Sequence, residues 1–238
     1  MHNPISTYRL QFHKEFNFDD FTEIISYLKE LGVNTVYASP IFHSTKGSTH
    51  GYDGMNPHLI NPEIGTEEQL KTISKELKEH RISWLQDIVP NHMAFHPENP
   101  WLMDVLEKGR QSVYASFFDI DWTSGAEPAR IMLPFLGSNL DEAINNKELK
   151  LEYKRDRFVL SYFDNSYPLN PRSYQGILSS GPSNNRALEQ LLTQMTAIHQ
   201  VEEPDMYAER WHEFLLQLAS LMKNEQAKAM VEAKLQII

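Results

Sequence analysis

The sequence of 238 residues contains no cysteine, no excess of basic residues and no long apolar run. A chain without cysteine has neither a disulfide framework nor thiolate chemistry, and the absence fits a reducing compartment. Lysine and arginine number 22 against 32 aspartate and glutamate residues, a formal charge of −10, which argues against a nucleic-acid-binding surface. No apolar segment approaches the roughly 20 residues that span a bilayer, and residues 1–4 show no signal-peptide pattern. We therefore expect a cytoplasmic protein with no nucleic-acid or membrane partner.

Strand and helix patterns alternate along the first third of the chain. Residues 5–12 alternate between apolar and polar side chains, which predicts a strand. Asn17 is a suitable N-cap for a helix that ends near Gly32, and residues 35–38 are predicted to form a second strand. A capping box at residues 66–69 opens another helix, which leads into a third strand. This β-α-β-α-β order with short connections predicts parallel strands.

The third predicted strand is followed directly by polar residues. Residues 85–89 supply a mainly apolar, partly β-branched run, and Pro90 ends it because proline cannot donate to a strand ladder. Asn91 and His92 follow directly past the carboxyl end, where α/β folds bind ligands. A strand followed by a purely structural polar turn is the alternative that this stretch alone leaves open. The polar, glycine- and proline-containing segment 46–62 is predicted to be a long functional loop.

The composition changes after His92. Residues 93–182 are rich in aromatic residues, proline, asparagine and aspartate, and a hairpin is predicted at residues 149–162. Apolar stripes at helical spacing follow in residues 183–238, which predicts two or three helices. We therefore predict three regions, namely a β/α region at 1–92, an inserted α+β subdomain at 93–182 and a helical segment at 183–238.

Several short motifs resemble those of a known family. Asp87-Ile88-Val89-Pro90-Asn91-His92 resembles the third-strand motif of the α-amylase family of glycoside hydrolases. Three upstream stretches agree with that family in the same order: Ser39-Pro40-Ile41-Phe42, His50-Gly51-Tyr52-Asp53 and Ile60-Asn61-Pro62-Glu63-Ile64-Gly65-Thr66. Other stretches resemble one branch of the family, which rearranges malto-oligosaccharides: Ser6-Thr7-Tyr8-Arg9-Leu10-Gln11, Asn99-Pro100-Trp101-Leu102, Phe117-Phe118-Asp119-Ile120-Asp121-Trp122 and Tyr167-Pro168-Leu169.

The resemblance implies a (β/α)8 TIM barrel, which needs eight strands and typically about 250 residues. Only three barrel strands can be counted, so we expect the amino-terminal part of a longer protein, with the remainder of the barrel as its partner. The branch implies an isomerase that converts the reducing-end linkage of malto-oligosaccharides to a trehalose-type linkage. The reaction is an intramolecular transglycosylation that needs no cofactor. An α-glucan hydrolase and a non-catalytic glucan-binding module are the alternatives left open.

The resemblance also implies which residues contact the glucan. Tyr52 matches a tyrosine that lines the subsite of bond cleavage, where an aromatic ring stacks on a pyranose face. His92 matches a histidine that bonds hydroxyls of the same sugar unit. Asp53 and Asp87 are predicted to be ordering carboxylates at the substrate, and Gln11, on the polar face of the first strand beside Arg9, is predicted to reach it. Packing of Tyr52 between loop and barrel is the alternative.

Other candidates are assigned structural roles. His50 and Gly51 are predicted to shape the loop, and Asn91 to fix it. Asn91 matches a calcium ligand of some amylases, but the sequence offers no companion oxygen ligands, so no metal site is predicted. A retaining glycosidase needs a carboxylate nucleophile and a carboxylic acid. The family's nucleophile follows an arginine in an Arg-x-Asp stretch, and none occurs at a strand end here. No residue is therefore predicted to be catalytic, and we expect the chain to be inactive alone.

An aromatic-rich patch lies in the predicted insert. It consists of Trp101, Phe117, Phe118 and Trp122. Aromatic residues usually bury large apolar areas, so we interpret the patch as the small core of the insert. A wall that contacts a long glucan chain is the alternative.

Overall fold

The structure, a computed structural model, describes residues 3–123, 131–180 and 185–236. It divides into two compact units, Met1–Pro100 and Trp101–Ile238, and each is described by itself. The division into 1–92, 93–182 and 183–238 stays a prediction. Within the described ranges, no helix is both long and apolar enough to cross a membrane.

The first unit is a small α/β structure. Its elements are β1 (Thr7–Leu10), α1 (Phe18–Glu30), β2 (Thr35–Ala38), β3 (Phe42–Ser44), β4 (Gly54–Ile60), α2 (Glu67–Glu79) and β5 (Ser83–Gln86). Strands β1 and β5 both pair in parallel with β2, in the order β1-β2-β5. This confirms the predicted β-α-β-α-β order and is consistent with part of an α/β barrel.

Local signals in the sequence explain both helices. The Asn17 side chain accepts hydrogen bonds from the amides of Asp19 and Asp20 and caps α1, and Gly32 has the left-handed φ of 83° that ends it. The predicted capping box of Thr66 and Gln69 opens α2. The apolar stripes of the helices pack on one face of the sheet in a fully buried core that includes Phe12, Phe18, Phe21, Ile25, Leu28, Val36, Ala38, Ile73 and Leu77.

Two features of this unit differ from the predictions. The predicted loop 46–62 contains strand β4, which pairs antiparallel and in an irregular register with β3, the strand just before the loop. Strand β5 ends at Gln86, before Pro90, and the predicted run 85–89 is not buried, since Leu85 in the strand is 47% exposed and Ile88 beyond it is 63% exposed. In the described part of the chain β5 pairs on one side only, so its outer edge has no partner strand there.

The second unit combines a short meander with helices. Its elements are α3 (Pro100–Lys108), α4 (Leu140–Asn145), β6 (Leu149–Lys154), β7 (Arg157–Tyr162), β8 (Asn165–Pro168), α5 (Pro171–Ser179), α6 (Arg186–Ile198), α7 (Pro204–Met222) and α8 (Glu225–Leu235). The predicted hairpin is confirmed as β6 and β7. Arg155 and Asp156 make its two-residue turn with φ of 50° and 61°, as tight hairpins require. Strand β8, which extends the meander, was missed.

One hydrophobic core serves the meander and the helices of this unit. Phe158 of β7 and Tyr174 of α5 pack with Trp211 and Phe214 of α7 in this core, and the Trp211 and Phe214 rings are stacked with centroids 5.1 Å apart. Of the four aromatic residues assigned to a separate small core, Trp101, Phe118 and Trp122 are half-buried and Phe117 is exposed. That interpretation is wrong for Phe117, which is 63% exposed.

Candidate functional site

The candidate site lies at the carboxyl ends of the three parallel strands. Arg9 of β1 is in register with Tyr37 of β2, and both side chains project from the sheet face opposite the helices. Asp87 directly follows β5 and is held there by its amide, which donates to the Ala38 carbonyl at 2.9 Å. The parallel pairing therefore brings three polar side chains from three strands to one edge.

A shared carboxylate oxygen joins two tyrosines. The Tyr52 hydroxyl donates to Oδ2 of Asp87 at 2.5 Å, and the Tyr37 hydroxyl donates to the same oxygen at 3.1 Å. The hydrogen bond to Asp87 raises the pKa of the Tyr37 hydroxyl above its ordinary value, because ionisation would bring two negative charges together. Asp87 therefore fixes the loop that carries Tyr52 to the strand ends.

Arg9 completes this arrangement. Its guanidinium donates to the Tyr52 hydroxyl at 3.1 Å and lies 5.7 Å from the centre of the Tyr37 ring, within cation–π range. It also donates to Oε1 of Gln11 at 3.2 Å, and Nε2 of Gln11 donates to the Thr49 carbonyl at 2.8 Å. The structure thus brings the predicted residues Gln11, Tyr52 and Asp87 together through an arginine.

His92 contacts the same loop. Its Nε2 lies 3.0 Å from the Tyr52 carbonyl oxygen, and its Nδ1 lies 3.1 Å from the side-chain nitrogen of Asn91. Since an amide nitrogen donates and a carbonyl oxygen accepts, the consistent assignment is a neutral imidazole with its proton on Nε2. Asn91 therefore sets the orientation and tautomer of His92.

Asp53 is engaged within its own loop. Its carboxylate accepts hydrogen bonds from the hydroxyls of Thr45 and Ser48, and Nδ1 of His50 lies 3.8 Å away. Partial burial raises the pKa of the Asp53 carboxyl, but the hydrogen bonds from Ser48 and Thr45 outweigh it and hold the pKa below its ordinary value. At neutral pH Asp53 is therefore an ionised acceptor that closes the loop.

The backbone at Gly51 is in the left-handed conformation and also lies very close to Pro40. Its φ is 76°, and a Cβ atom there would lie 2.4 Å from the Pro40 carbonyl oxygen, so only glycine fits without distortion. Its amide donates to Ser48, and the next amide, that of Tyr52, donates to Nδ1 of His50 at 3.0 Å. These bonds aim the Tyr52 side chain at the strand ends.

Two residues of this cluster, Arg9 and Tyr37, were not among the predicted site residues. The sequence did put Arg9 on the polar face of β1, beside Gln11, and that position at a strand end was the available signal. The sequence gives no indication that Tyr37 belongs to the site, because a tyrosine in a short strand is ordinarily expected to pack against its neighbours. The cluster contains an aromatic ring and a partly exposed set of hydrogen-bond donors and acceptors. These are features of surfaces that bind sugars.

Comparison with known proteins identifies the family. The model of the alpha-amylase catalytic domain matches residues 17–171. The chain belongs to the α-amylase family. Among curated relatives, a candidate maltooligosyl trehalose synthase of Mycobacterium tuberculosis is 39% identical over 186 residues, which is 75% of this chain and 23% of that protein. Alpha-amylase 2 of Dictyoglomus thermophilum is 40% identical over 94 residues, 40% of this chain and 16% of the relative.

Two solved structures of maltooligosyltrehalose synthases also resemble this chain in fold and sequence. The maltooligosyltrehalose synthase of Arthrobacter ramosus superposes with a TM-score of 0.63 and 35% identity, covering 79% of this chain and 23% of that one. The hypothetical maltooligosyl trehalose synthase of Sulfolobus tokodaii gives a TM-score of 0.60 and 39% identity over 73% of this chain and 23% of its own. These matches confirm the resemblance to the α-amylase family that the motifs indicated. The 238-residue chain spans about a quarter of the length of the synthases that it matches.

Proposed function

We propose that this chain forms the amino-terminal part of the catalytic barrel of a maltooligosyltrehalose synthase. The complete enzyme converts the reducing-end linkage of a malto-oligosaccharide to a trehalose-type linkage. In this reaction the terminal glycosidic bond breaks, the glucan is held as a covalent glycosyl-enzyme, and the released glucose attacks through its anomeric hydroxyl. The carboxylates for these steps belong to the remainder of the barrel.

The observation that carries this proposal is the length of the matching segment. The alignment with the candidate synthase covers 186 residues, which is longer than the 100 residues of the first unit, Met1–Pro100. It must therefore include part of the second unit. The relatives named as amylases or cyclomaltodextrinases match over 94 to 105 residues, about the length of one unit. The longer match favours a synthase over an α-glucan hydrolase.

The proposed task of the cluster at the strand ends is to bind and orient the sugar at the scissile bond. Tyr52 supplies a ring for stacking, held by its hydroxyl between Arg9 and Asp87. His92 and Gln11 are proposed to hydrogen-bond glucan hydroxyls, and Asp53, like Asp87, to order the groups that do so. The residues His50, Gly51 and Asn91 are proposed to hold the loop.

A chimera tests the proposal. The matching segment of the Mycobacterium tuberculosis relative is replaced by this chain, and the product is incubated with maltopentaose. We expect a non-reducing, trehalose-type product, detected by chromatography and by loss of reducing ends. Glucose and maltose release without that product would favour the hydrolase alternative. Binding of maltopentaose without turnover, although the unmodified relative is active, would favour a glucan-binding module.

A cytoplasmic location is part of the proposal. It is supported by the absence of cysteine, which fits a reducing compartment. Cell fractionation with an antibody against this chain is the test, and recovery in the membrane or secreted fraction would contradict it.

A further inference from the structure

Three aromatic side chains form a cluster at the start of the second unit. Trp101 lies in the first turn of α3, and Tyr114 and Phe117 belong to the segment that follows this helix. The Trp101 and Tyr114 rings stack nearly parallel, with their centroids 5.3 Å apart. The Phe117 ring lies 5.1 Å from Trp101 and 6.0 Å from Tyr114, between ring centroids. We call these three rings the Phe117 cluster.

The Phe117 cluster is separate from the hydrophobic core of the second unit. Among the residues that the structure describes, none of the three rings belongs to that core or packs against it. Phe117 is exposed, while Trp101 and Tyr114 are half-buried. A single exposed apolar side chain is ordinary. Three aromatic rings in contact at the surface are instead typical of an interaction site.

Polar contacts join the two segments that carry the rings. The Ser112 hydroxyl donates to Oδ2 of Asp104 at 2.5 Å, and the Tyr114 amide donates to the Ser112 hydroxyl oxygen at 3.1 Å. Asp104 lies on α3, one turn after Trp101, and also forms an ion pair with Lys108. The rings are therefore oriented before a ligand binds, which reduces the entropy lost on binding.

The inclination of the rings suits a curved ligand with apolar faces. The Phe117 plane is inclined by 62° to that of Trp101 and by 66° to that of Tyr114. Each glucose unit of an α-linked glucan has an apolar face of C–H groups, which can pack on an aromatic ring. The α-linked chain curves, so its successive sugar faces are also inclined to one another. A β-linked glucan is straight and fits such a surface less well.

Hydrogen-bonding residues accompany the rings. Ser116 and Asp119 are exposed and flank Phe117 in the sequence. Binding sites commonly combine aromatic walls with a few polar groups that fix the ligand. The cluster also lies within residues 17–171, which match the model of the alpha-amylase catalytic domain. Rings, polar neighbours and family together favour a sugar polymer as the ligand.

We propose that the Phe117 cluster binds an α-linked glucan chain, with one glucose face on Phe117 and the adjoining unit against the Trp101–Tyr114 pair. The class of ligand rests on the proposed function. This surface gives the chain a contact with the glucan that does not depend on Tyr52. It therefore holds a different stretch of the same polymer from the one that contacts the strand ends.

The test is calorimetric titration of the 238-residue chain carrying Tyr52→Ala, which removes the stacking ring at the strand ends. We expect maltoheptaose to bind, and to bind more tightly than the β-linked cellohexaose. Adding Phe117→Ala should weaken maltoheptaose binding by about 5- to 150-fold, the loss of one stacked aromatic ring. Phe163→Ala, at another exposed phenylalanine of the unit that packs on a tyrosine, is the matched control and should bind normally.

The indole NMR signals provide a second measurement. The Trp101 signal should shift when maltoheptaose is added to the Phe163→Ala chain and should shift much less in the Phe117→Ala chain. The fully buried Trp211 is the internal reference and should not respond. Circular dichroism of each variant establishes that the fold is retained.

Several outcomes would overturn the proposal. These are equal maltoheptaose affinity in Phe117→Ala and Phe163→Ala, equal affinity for the two glucans, and no binding at millimolar concentrations. Light scattering tests the other occupant, and self-association that only Phe117→Ala abolishes, without a change in glucan affinity, would assign the surface to a second copy. Glucan binding that depends on Phe117, in a chain whose chimera forms no trehalose-type product, would support this site and refute the proposed function.

Discussion

The Tyr52 hydroxyl donates a 2.5 Å hydrogen bond to Oδ2 of Asp87, which lies 35 residues later in the chain. This bond joins the loop after β3 to the end of β5, and Arg9 donates to the same hydroxyl from β1. These two contacts fix the orientation of the Tyr52 ring, and the His50 ring lies beside it with the ring centres 5.9 Å apart. Under the proposed function, the ring on which the sugar stacks is therefore oriented before the sugar binds, which would reduce the entropy lost on binding.

The first prediction concerns that ring. In the chimera, Tyr52→Ala should lower kcat/KM by a factor corresponding to roughly 1–3 kcal/mol, by analogy with the stacking of bases on aromatic side chains. Tyr52→Phe keeps the ring and loses both hydroxyl contacts, so it should retain more activity than Tyr52→Ala. Steady-state kinetics with maltopentaose provide the measurement. Tyr27→Ala, at an exposed tyrosine of α1, is the control, and unchanged kinetics for Tyr52→Ala would exclude stacking.

The fold of the first unit could be read from the sequence because its signals are local. The N-cap at Asn17, the left-handed Gly32 and the capping box at Thr66 lie within a few residues of the ends they specify. Strand β4 was missed because Pro57 interrupts it, and proline usually argues against a strand. Its place at the edge of a two-stranded pair makes the proline tolerable.

The contacts of the site could be predicted only in part. Tyr52, Asp87 and His92 were found through motifs, but the bond between Arg9 and Tyr52 spans 43 residues, and no local pattern specifies it. The exposure of Leu85 was unpredictable for a related reason. An apolar residue in a strand is expected to be buried, but its burial depends on packing partners distant in sequence.

The second prediction compares two glycines with nearly equal backbone angles. Gly47 and Gly51 have φ of 78° and 76°, but only at Gly51 would a Cβ meet other atoms, the nearest 2.4 Å away. Gly47→Ala should cost about 1–2 kcal/mol of unfolding free energy, the strain of the left-handed conformation. Gly51→Ala should cost about 1–3 kcal/mol more because of the clash with Pro40. Urea unfolding measures both, and equal losses would show that the loop relaxes around the clash.

The third prediction concerns Tyr37. Its raised pKa is caused first by the hydrogen bond to Asp87, so Asp87→Asn should return it toward 10.0, the ordinary value. The folded chain holds this proton more tightly than the unfolded chain. The stabilisation is therefore complete below about pH 10 and is lost as the pH rises through the folded pKa. Ring-carbon NMR of labelled tyrosines follows the titration.

Tyr153 is the internal control for this titration. Burial and then Asp156 raise its pKa to about 12, so the change at Asp87 should leave it unaltered. A Tyr37 titration that is the same in Asp87→Asn as in the original chain would show that the hydrogen bond does not form in solution.

The fourth prediction concerns Glu107, which is 2% exposed. Burial raises the pKa of its carboxyl above 4.5, although the charge of Arg157 opposes the shift. Between 4.5 and the raised value the folded chain keeps a proton that the unfolded chain has lost, so the unfolding free energy falls as the pH rises. Glu107→Gln should remove this contribution. The difference between the two unfolding curves across pH is the measurement.

A second Glu→Gln substitution, at an exposed position, is the control for the loss of one negative charge. Glu189→Gln, at an exposed position of α6, should leave the dependence on pH as it is in the original chain. A difference between Glu107→Gln and the original chain that does not vary with pH would contradict the assigned shift.

The fifth prediction is that the 238-residue chain alone forms neither glucose nor a trehalose-type product from maltopentaose. A retaining mechanism needs one carboxylate free to attack and one to donate a proton. Of the carboxylates in the site, that of Asp53 is occupied by Thr45 and Ser48, and that of Asp87 by Tyr37 and Tyr52. The active chimera, assayed by the same chromatography, is the positive control. Product from the chain alone that disappears in Asp53→Asn or Asp87→Asn would identify one of these carboxylates as catalytic and refute their purely ordering role.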